Sequence, residues 1–239
     1  VTPLFPPLQR STRLRLITDR EHYDEVIAKR ITAARVSVWI ATANLKELRV
    51  EAPIGSVARA RGRYVSILDT FEDLTKRGVD VRILHATVPS RPFREELARH
   101  PRLLRAGLHL RQCPRVHLKI IAVDGGALYM GSANFTGAGL GAKGDGRRNF
   151  EMGILTDDEI LLDAAQARFQ RIWSGAECGA CRLRAVCPRP LDVVTAPRRQ
   201  APAVRAAVAA PACVAKEPTP AASTRSRARR ARAAPTRSL

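Results

Sequence analysis

Two basic side chains, His117 and Lys119, stand two residues apart in the apolar run RVHLKIIAV; a carboxylate, a hydroxyl and an amide follow at Asp124, Ser132 and Asn134. Basic groups seldom point into a core unless they are paired, so two on one face of an apolar run suggest a site. Side chains two apart on a strand share a face. That rule pairs His117 with Lys119, Ser132 with Asn134, and Asn149 with Glu151. Residues 116–123, 127–132 and 149–155 each read as a strand, and Gly125-Gly126 between the first two is a hairpin signal. If the three are neighbours, a nucleophile, a cation, two amides, a hydroxyl and a carboxylate meet in one cleft. Phosphoryl transfer needs that mixture: a nucleophile, an acid for the leaving oxygen, and donors for the equatorial oxygens.

The rest of the chain supplies a frame for such a cleft. RLRLIT reads as a strand, and residues 19–34 carry a helical stripe at Tyr23, Val26, Ile27, Ile31 and Ala34, with Thr18 and Glu21 as a capping box. VSVWIATA is a strong strand. A helix places Ile67, Leu68, Phe71 and Leu74 on one face and stops at Gly78. VDVRILHA follows as a strand and PFREELARH as a short helix, and a last helix carries Leu162, Ala165, Phe169, Ile172 and Trp173. This alternation predicts an α/β fold, a layered α/β/α sandwich with a mixed central sheet.

The spacing of His117, Lys119 and Asp124, followed by Gly131-Ser132-x-Asn134, resembles the phospholipase D superfamily signature, HxKx(4)D and then GSxN. The NFE at residues 149–151 resembles the acidic position that follows the motif in the nuclease branch. The resemblance implies that His117 attacks phosphorus and forms a phosphohistidine. It implies further that Lys119 and Asn134 hold the nonbridging oxygens with Ser132 assisting. Glu151 would then hydrogen-bond the far imidazole nitrogen, and Asp124, at the turn, would brace the strands. No metal or other cofactor is implied for the reaction. The chemistry takes two histidines, a nucleophile and a general acid, and this chain has one motif; His109 in LHLRQ lacks the companions of a second. A single copy resembles the short nuclease branch, so the expected assembly is a homodimer with one shared active site.

Other residues attach to this reading. The loop FTGAGLGAKGDGRRN is expected to form a mobile rim whose Lys143, Arg147 and Arg148, together with Asn149, meet substrate phosphates. Asn44 in ATANLK would also face the cleft. His22, His85 and His100 read as satisfied or surface histidines, and Trp39 and Trp173 as core. Cys178-x2-Cys181-x5-Cys187-Pro188 has chelating spacing, and three thiolates need a fourth ligand. Cys113 is preferred, with Cys213 as rival. Zinc is the default structural metal, but CxxCx(5)CP also looks like part of the iron–sulfur staple of RecB-like exonucleases, so a [4Fe–4S] cluster stays open.

Bulk properties bound the partners. The 239 residues carry a formal net charge of +19, which favours a polyanion. From Thr195 onward the chain is Ala, Pro, Arg and Ser, with nine arginines and one lysine against one glutamate, and reads as a disordered basic tail. The expected organisation is a catalytic domain at 1–174, a Cys-rich metal-binding knuckle at 175–192 and the tail at 193–239. No apolar run approaches the roughly 18 residues of a membrane span, and the first residues do not read as a secretory signal, so cytoplasm is the expected location. Nucleic acid is the expected partner, which makes the leading function a metal-independent nuclease. A phospholipase or phosphatidyltransferase at an anionic membrane surface is the alternative, and a non-catalytic nucleic-acid-binding protein on the same fold is the third.

Overall fold

A computed structural model describes residues 11–52 and 55–193, all within one compact unit, Val1–Ala196. The basic tail and Cys213 lie outside the described residues. The elements in order are β1 (Leu14–Thr18), α1 (His22–Ile31), β2 (Ser37–Thr42), β3 (Arg49–Glu51), α2 (Val57–Ala60), β4 (Tyr64–Ser66), α3 (Ile67–Lys76) and β5 (Asp80–His85). Then come α4 (Arg91–Ala98), α5 (Pro101–Ala106), β6 (Leu108–Gln112), β7 (Ile120–Val123), β8 (Ala127–Gly131), β9 (Met152–Thr156) and α6 (Glu159–Trp173).

Seven strands form a mixed sheet in the order β1-β9-β8-β7-β2-β5-β6. The β2, β5 and β6 strands run parallel, while β7, β8, β9 and β1 alternate antiparallel. The period-2 alternation of each strand divides the core in two. Val38 and Ile40 on β2, Val81 and Ile83 on β5, and Ile121 and Val123 on β7 meet Ile27, Phe71 and Phe93 from the helices of one face. Ala41, Leu84, Ile120 and Ala122 meet Leu162 and Phe169 of α6 on the other. Each such fully buried aliphatic or aromatic side chain contributes roughly 1.5–3 kcal/mol of transfer free energy. The layered α/β/α sandwich with a mixed sheet is therefore the fold.

Local rules explain the helix ends. At α3, Ser66 and Asp69 complete a reciprocal capping box, and Gly78 follows with φ 85°. At α1 only half of the expected box forms. Glu21 accepts from the Thr18 backbone N–H at 2.9 Å, and the helix is a wide one whose end is closed by Thr32 N donating to Ile27 O at 3.2 Å.

Three sequence expectations are corrected. The regular strands are shorter than 116–123, 127–132 and 149–155, although single backbone bonds continue past their ends, from Gly131 N to Lys119 O (3.1 Å) and from Ser132 N to Met152 O (3.0 Å). Five short elements that the strand and helix patterns do not announce are present as well: β3, α2, β4, α5 and β6. The glycine-rich loop is pinned at its start: Leu140 is fully buried and Gly141 packs on the backbone of Asp19 and Arg20.

Candidate active site

All six motif groups gather at one end of the sheet, where β7 begins, β8 ends, β9 begins and β2 ends. His117 and Lys119 lie on the extended lead-in to β7. His117 is exposed and Lys119 half-buried, so neither points into the core as the apolar run suggested. Lys119 Nζ stands 3.1 Å from each ring nitrogen of His117 and donates to His117 O at 2.9 Å. Burial pushes the Lys119 ammonium below the usual lysine range, against an upward pull from the Glu151 carboxylate nearby.

Ser132 and Asn134 leave the end of β8. The Ser132 hydroxyl donates to Glu151 Oε2 and accepts from Met152 N at 3.1 Å. Asn149 Nδ2 donates to Glu151 Oε1 at 3.0 Å. Glu151 is thus held by Ser132 and Asn149, and among the described residues its hydrogen bonds do not include one to His117, the partner the motif resemblance implied. Gly131 is required beside Ser132 because a Cβ there would lie 2.7 Å from Gly153 Cα on β9.

Asn134 is oriented from behind. Its Oδ1 accepts from Asn44 N at 3.0 Å and stands 3.3 Å from Thr42 Oγ1. Thr42, only 1% exposed at the end of β2, also accepts from Phe135 N at 2.9 Å. Since the Asn44 N–H can only donate, the amide oxygen must face it, which turns the Nδ2 donor away from this anchor. Asp19 does similar work on the opposite side: its backbone N–H donates to Glu151 O and its Oδ1 accepts from Glu151 N, both at 3.0 Å.

Asp124 takes no part in the cleft. It sits at φ 55° in the β7–β8 turn, and its carboxylate accepts from Arg35 N (2.9 Å), Val36 N (2.7 Å) and Ser37 N (2.9 Å) ahead of β2. Burial raises its carboxyl, but the three backbone donors outweigh that and hold it below the usual range. It is a brace between strands, as read from its place at the turn.

A cavity of ≈ 210 Å³ opens beside the motif, and Asn44, Lys46, Asn134, Lys143 and Asn149 are among its walls. Lys143 and Asn149 therefore lie where the sequence placed them, and Asn44 does face the cleft. Glu47 also lines the cavity, with its carboxyl pushed up by burial. Arg148 is drawn into an ion pair with Asp145, and Arg147 is exposed. The sequence reading missed Lys46, Thr42 and Asp19. Lys46 was visible in ATANLK; Thr42 and Asp19 act only through contacts that no spacing rule reveals. His22, His85 and His100 are buried and hydrogen-bonded to Asp19 O, Thr87 O and Glu72 Oε2, so all three are core groups. Nε2 of His22, however, is buried with no hydrogen-bond partner among the described residues, and only His85 and His100 fit the satisfied reading.

Residues 27–173, well over half of the chain, match the family described as cardiolipin synthase, PLD-like domain. The chain belongs to this phospholipase D-like family. Among solved structures it is similar to NucT from Helicobacter pylori, at 17% identity over 67% of this chain and 95% of that one, with a TM-score of 0.47. It is also similar to a phospholipase D family member, Nuc from Salmonella typhimurium, at 21% identity over 69% of this chain and 95% of that one, with a TM-score of 0.47. Phosphatidylserine synthase from Haemophilus influenzae Rd KW20 is similar at 15% identity, covering 66% of this chain and 37% of that one, with a TM-score of 0.43. No curated protein matches.

Proposed function

We propose that this chain is a metal-independent phosphodiesterase that cleaves nucleic acid through a phosphohistidine on His117. The observation that carries the proposal is the gathering of His117, Lys119, Ser132, Asn134, Asn149 and Glu151 at one sheet end, beside a cavity walled by Lys46 and Lys143. An imidazole nitrogen of His117 attacks phosphorus while the P–O bond to the leaving group breaks. Lys119 and the Asn134 amide hold the nonbridging oxygens as charge builds on them. Water then displaces His117 from phosphorus, giving a phosphomonoester and free imidazole.

The leaving oxygen needs a proton, and one motif offers one histidine. We therefore place a second copy's His117 opposite the first, in a homodimer with a shared site. A strip of exposed apolar side chains fits such an assembly. Leu14 and Leu16 on β1 and Met152 on β9 share the part of the sheet face beyond α6, and Phe150, between Asn149 and Glu151, is 98% exposed. Exposed apolar patches beside a site favour a partner surface.

Nucleic acid is favoured over lipid by charge. The formal +19, the lysines at the cavity and the arginine-rich residues after Thr195 suit a phosphate backbone. Among the described residues no helix is long and apolar enough to cross a membrane. The test compares three substrates in one buffer: labelled DNA, labelled RNA, and vesicles of phosphatidylglycerol and phosphatidylcholine. Cleavage of a nucleic acid with no headgroup release supports the proposal. Headgroup release without nucleic-acid cleavage would move the chain to phospholipid chemistry.

A further inference from the structure

Residues 174–192 form an ordered, closed excursion after α6 that brings little apolar surface of its own. Of its aliphatic side chains only Leu191 is buried, while Leu183 and Val186 are exposed, the latter at 77%. Its backbone is a chain of tight turns: Cys178 N donates to Gly175 O (2.9 Å), Cys181 N to Cys178 O (3.2 Å), Arg184 N to Cys181 O (3.0 Å) and Cys187 N to Arg184 O (3.3 Å). Arg111 on β6 joins its two ends, donating from Nη1 to Trp173 O and from Nη2 to Leu191 O at 2.8 Å. The ends also cross at Gly175, φ 80°, where a Cβ would lie 2.6 Å from Asp192 Cα. Ordering so many residues carries an entropic cost that a single buried leucine does not offset. Something else holds this segment.

The turns direct Cys178, Cys181 and Cys187 toward Cys113, the residue after β6, and all four line one pocket together with Pro114, Arg115 and Leu191. All three lie close enough to Cys113 to act on its thiol electrostatically. Among the described residues no three His, Cys, Asp or Glu side chains already converge as ligands do; the thiols rim the pocket. A change of χ1 relocates a cysteine sulfur on a fixed backbone, so side chains that share one pocket can approach one another by rotation. Neutral thiols gain nothing by meeting, whereas thiolates around a cation do.

We propose that Cys113, Cys178, Cys181 and Cys187 bind a thiolate-ligated metal centre, a zinc ion or an iron–sulfur cluster, that fastens this segment to the chain entering the His117 region. Each cysteine gives up its thiol proton to solvent as its sulfur becomes a ligand. Either centre carries net negative charge with four thiolates, and the guanidinium groups of Arg115 and Arg184 line the same pocket to offset it. The link to the active site is short. Cys113 N donates to His85 O at 2.9 Å, and Cys113 O accepts from Val116 N at 3.0 Å, one residue before His117. The proposal does not depend on the phosphodiesterase reading, because metal is counted without substrate.

The test is elemental analysis and absorption of the full chain purified anaerobically, for wild type, Cys113→Ser, Cys181→Ser and Cys213→Ala. Wild type should carry one zinc per chain and be colourless, or carry iron and sulfide with a broad band at about 400 nm. Cys113→Ser and Cys181→Ser should each lose at least tenfold of that metal, and Cys213→Ala should keep it. Wild type with neither zinc nor iron, and with all its thiols open to a thiol reagent, overturns the proposal whether or not the variants fold. So does metal that survives Cys113→Ser and vanishes in Cys213→Ala.

Discussion

Replacing Asp124 separates a bracing role from a catalytic one. The Asp124 carboxylate gathers three backbone N–H groups from residues 35–37, and charge-assisted hydrogen bonds contribute roughly 1.5–3 kcal/mol each. Arg35 and Val36 are exposed, so water would recover most of their two bonds, while Ser37 N sits at the half-buried start of β2. Counting Ser37 in full and the others in small part puts Asp124→Ala at about 3 kcal/mol less stable. Holding alanine at φ 55° adds about 1 kcal/mol. Asp124→Asn tolerates that conformation and keeps one acceptor, so its loss should be about 1–2 kcal/mol. Urea unfolding followed by circular dichroism at pH 7 reads both. Because the folded carboxyl is held below its unfolded value of about 3.9, its contribution is fully present above that value. It fades as pH falls through the lower folded value, and the variants should lack this part of the acid transition. Activity measured well below the unfolding midpoint should stay within about threefold of wild type, an effect under 1 kcal/mol on the barrier. Unchanged stability in Asp124→Ala, with activity down about a hundredfold, would refute the brace and make Asp124 a group of the reaction.

Three further outcomes follow from the site. Thr42→Val removes the hydroxyl that donates at 2.9 Å to the carbonyl oxygen of Asn44, the residue whose N–H holds Asn134 Oδ1, and should lower kcat by roughly tenfold at a stability loss of about 1–2 kcal/mol. Thr42→Ser should restore the rate, and a Val variant with wild-type kcat would deny Thr42 its positioning role. Phe150→Glu should shift the chain toward monomer in light scattering and reduce cleavage in proportion, since a carboxylate replaces the most exposed apolar side chain of the strip. A monodisperse wild-type monomer with full activity would sink the shared site. Finally, burial lowers Lys119, so the rate should fall on the alkaline side below the ordinary lysine value of about 10.4, and Lys119→Arg should lose that limb.

Much of this was legible in sequence because patterning and spacing are local. The nearly continuous apolar runs in VSVWIATA and VDVRILHA report strands covered on both faces, and the helical stripe through Leu162 and Phe169 reports the helix on one of them. The HxKx(4)D and GSxN spacing located the site groups. Their exact setting was less legible. His117 and Lys119 precede β7 rather than occupy it, with Lys119 O accepting from Gly131 N at 3.1 Å as the last bond toward β8. The anchoring of Asn134 by the Asn44 backbone, itself held by Thr42, and of Glu151 by Asp19 joins residues about 90 and 130 positions apart, which no local pattern encodes. Thr42 reads in sequence as one more β-branched residue at the end of a strand. The glycine-rich loop looked free because its glycines suggested freedom, whereas Gly141 is there to let the loop approach Asp19.

The central claim is that His117 attacks a phosphodiester with no metal in the reaction. The direct measurement is cleavage of labelled single- and double-stranded DNA and RNA by wild type and His117→Asn, in EDTA at low salt, with acid-quenched gels. Cleavage by wild type alone, with EDTA making no difference, is the predicted result. Equal cleavage by both proteins, or binding by both with no cleavage of any substrate, would contradict it.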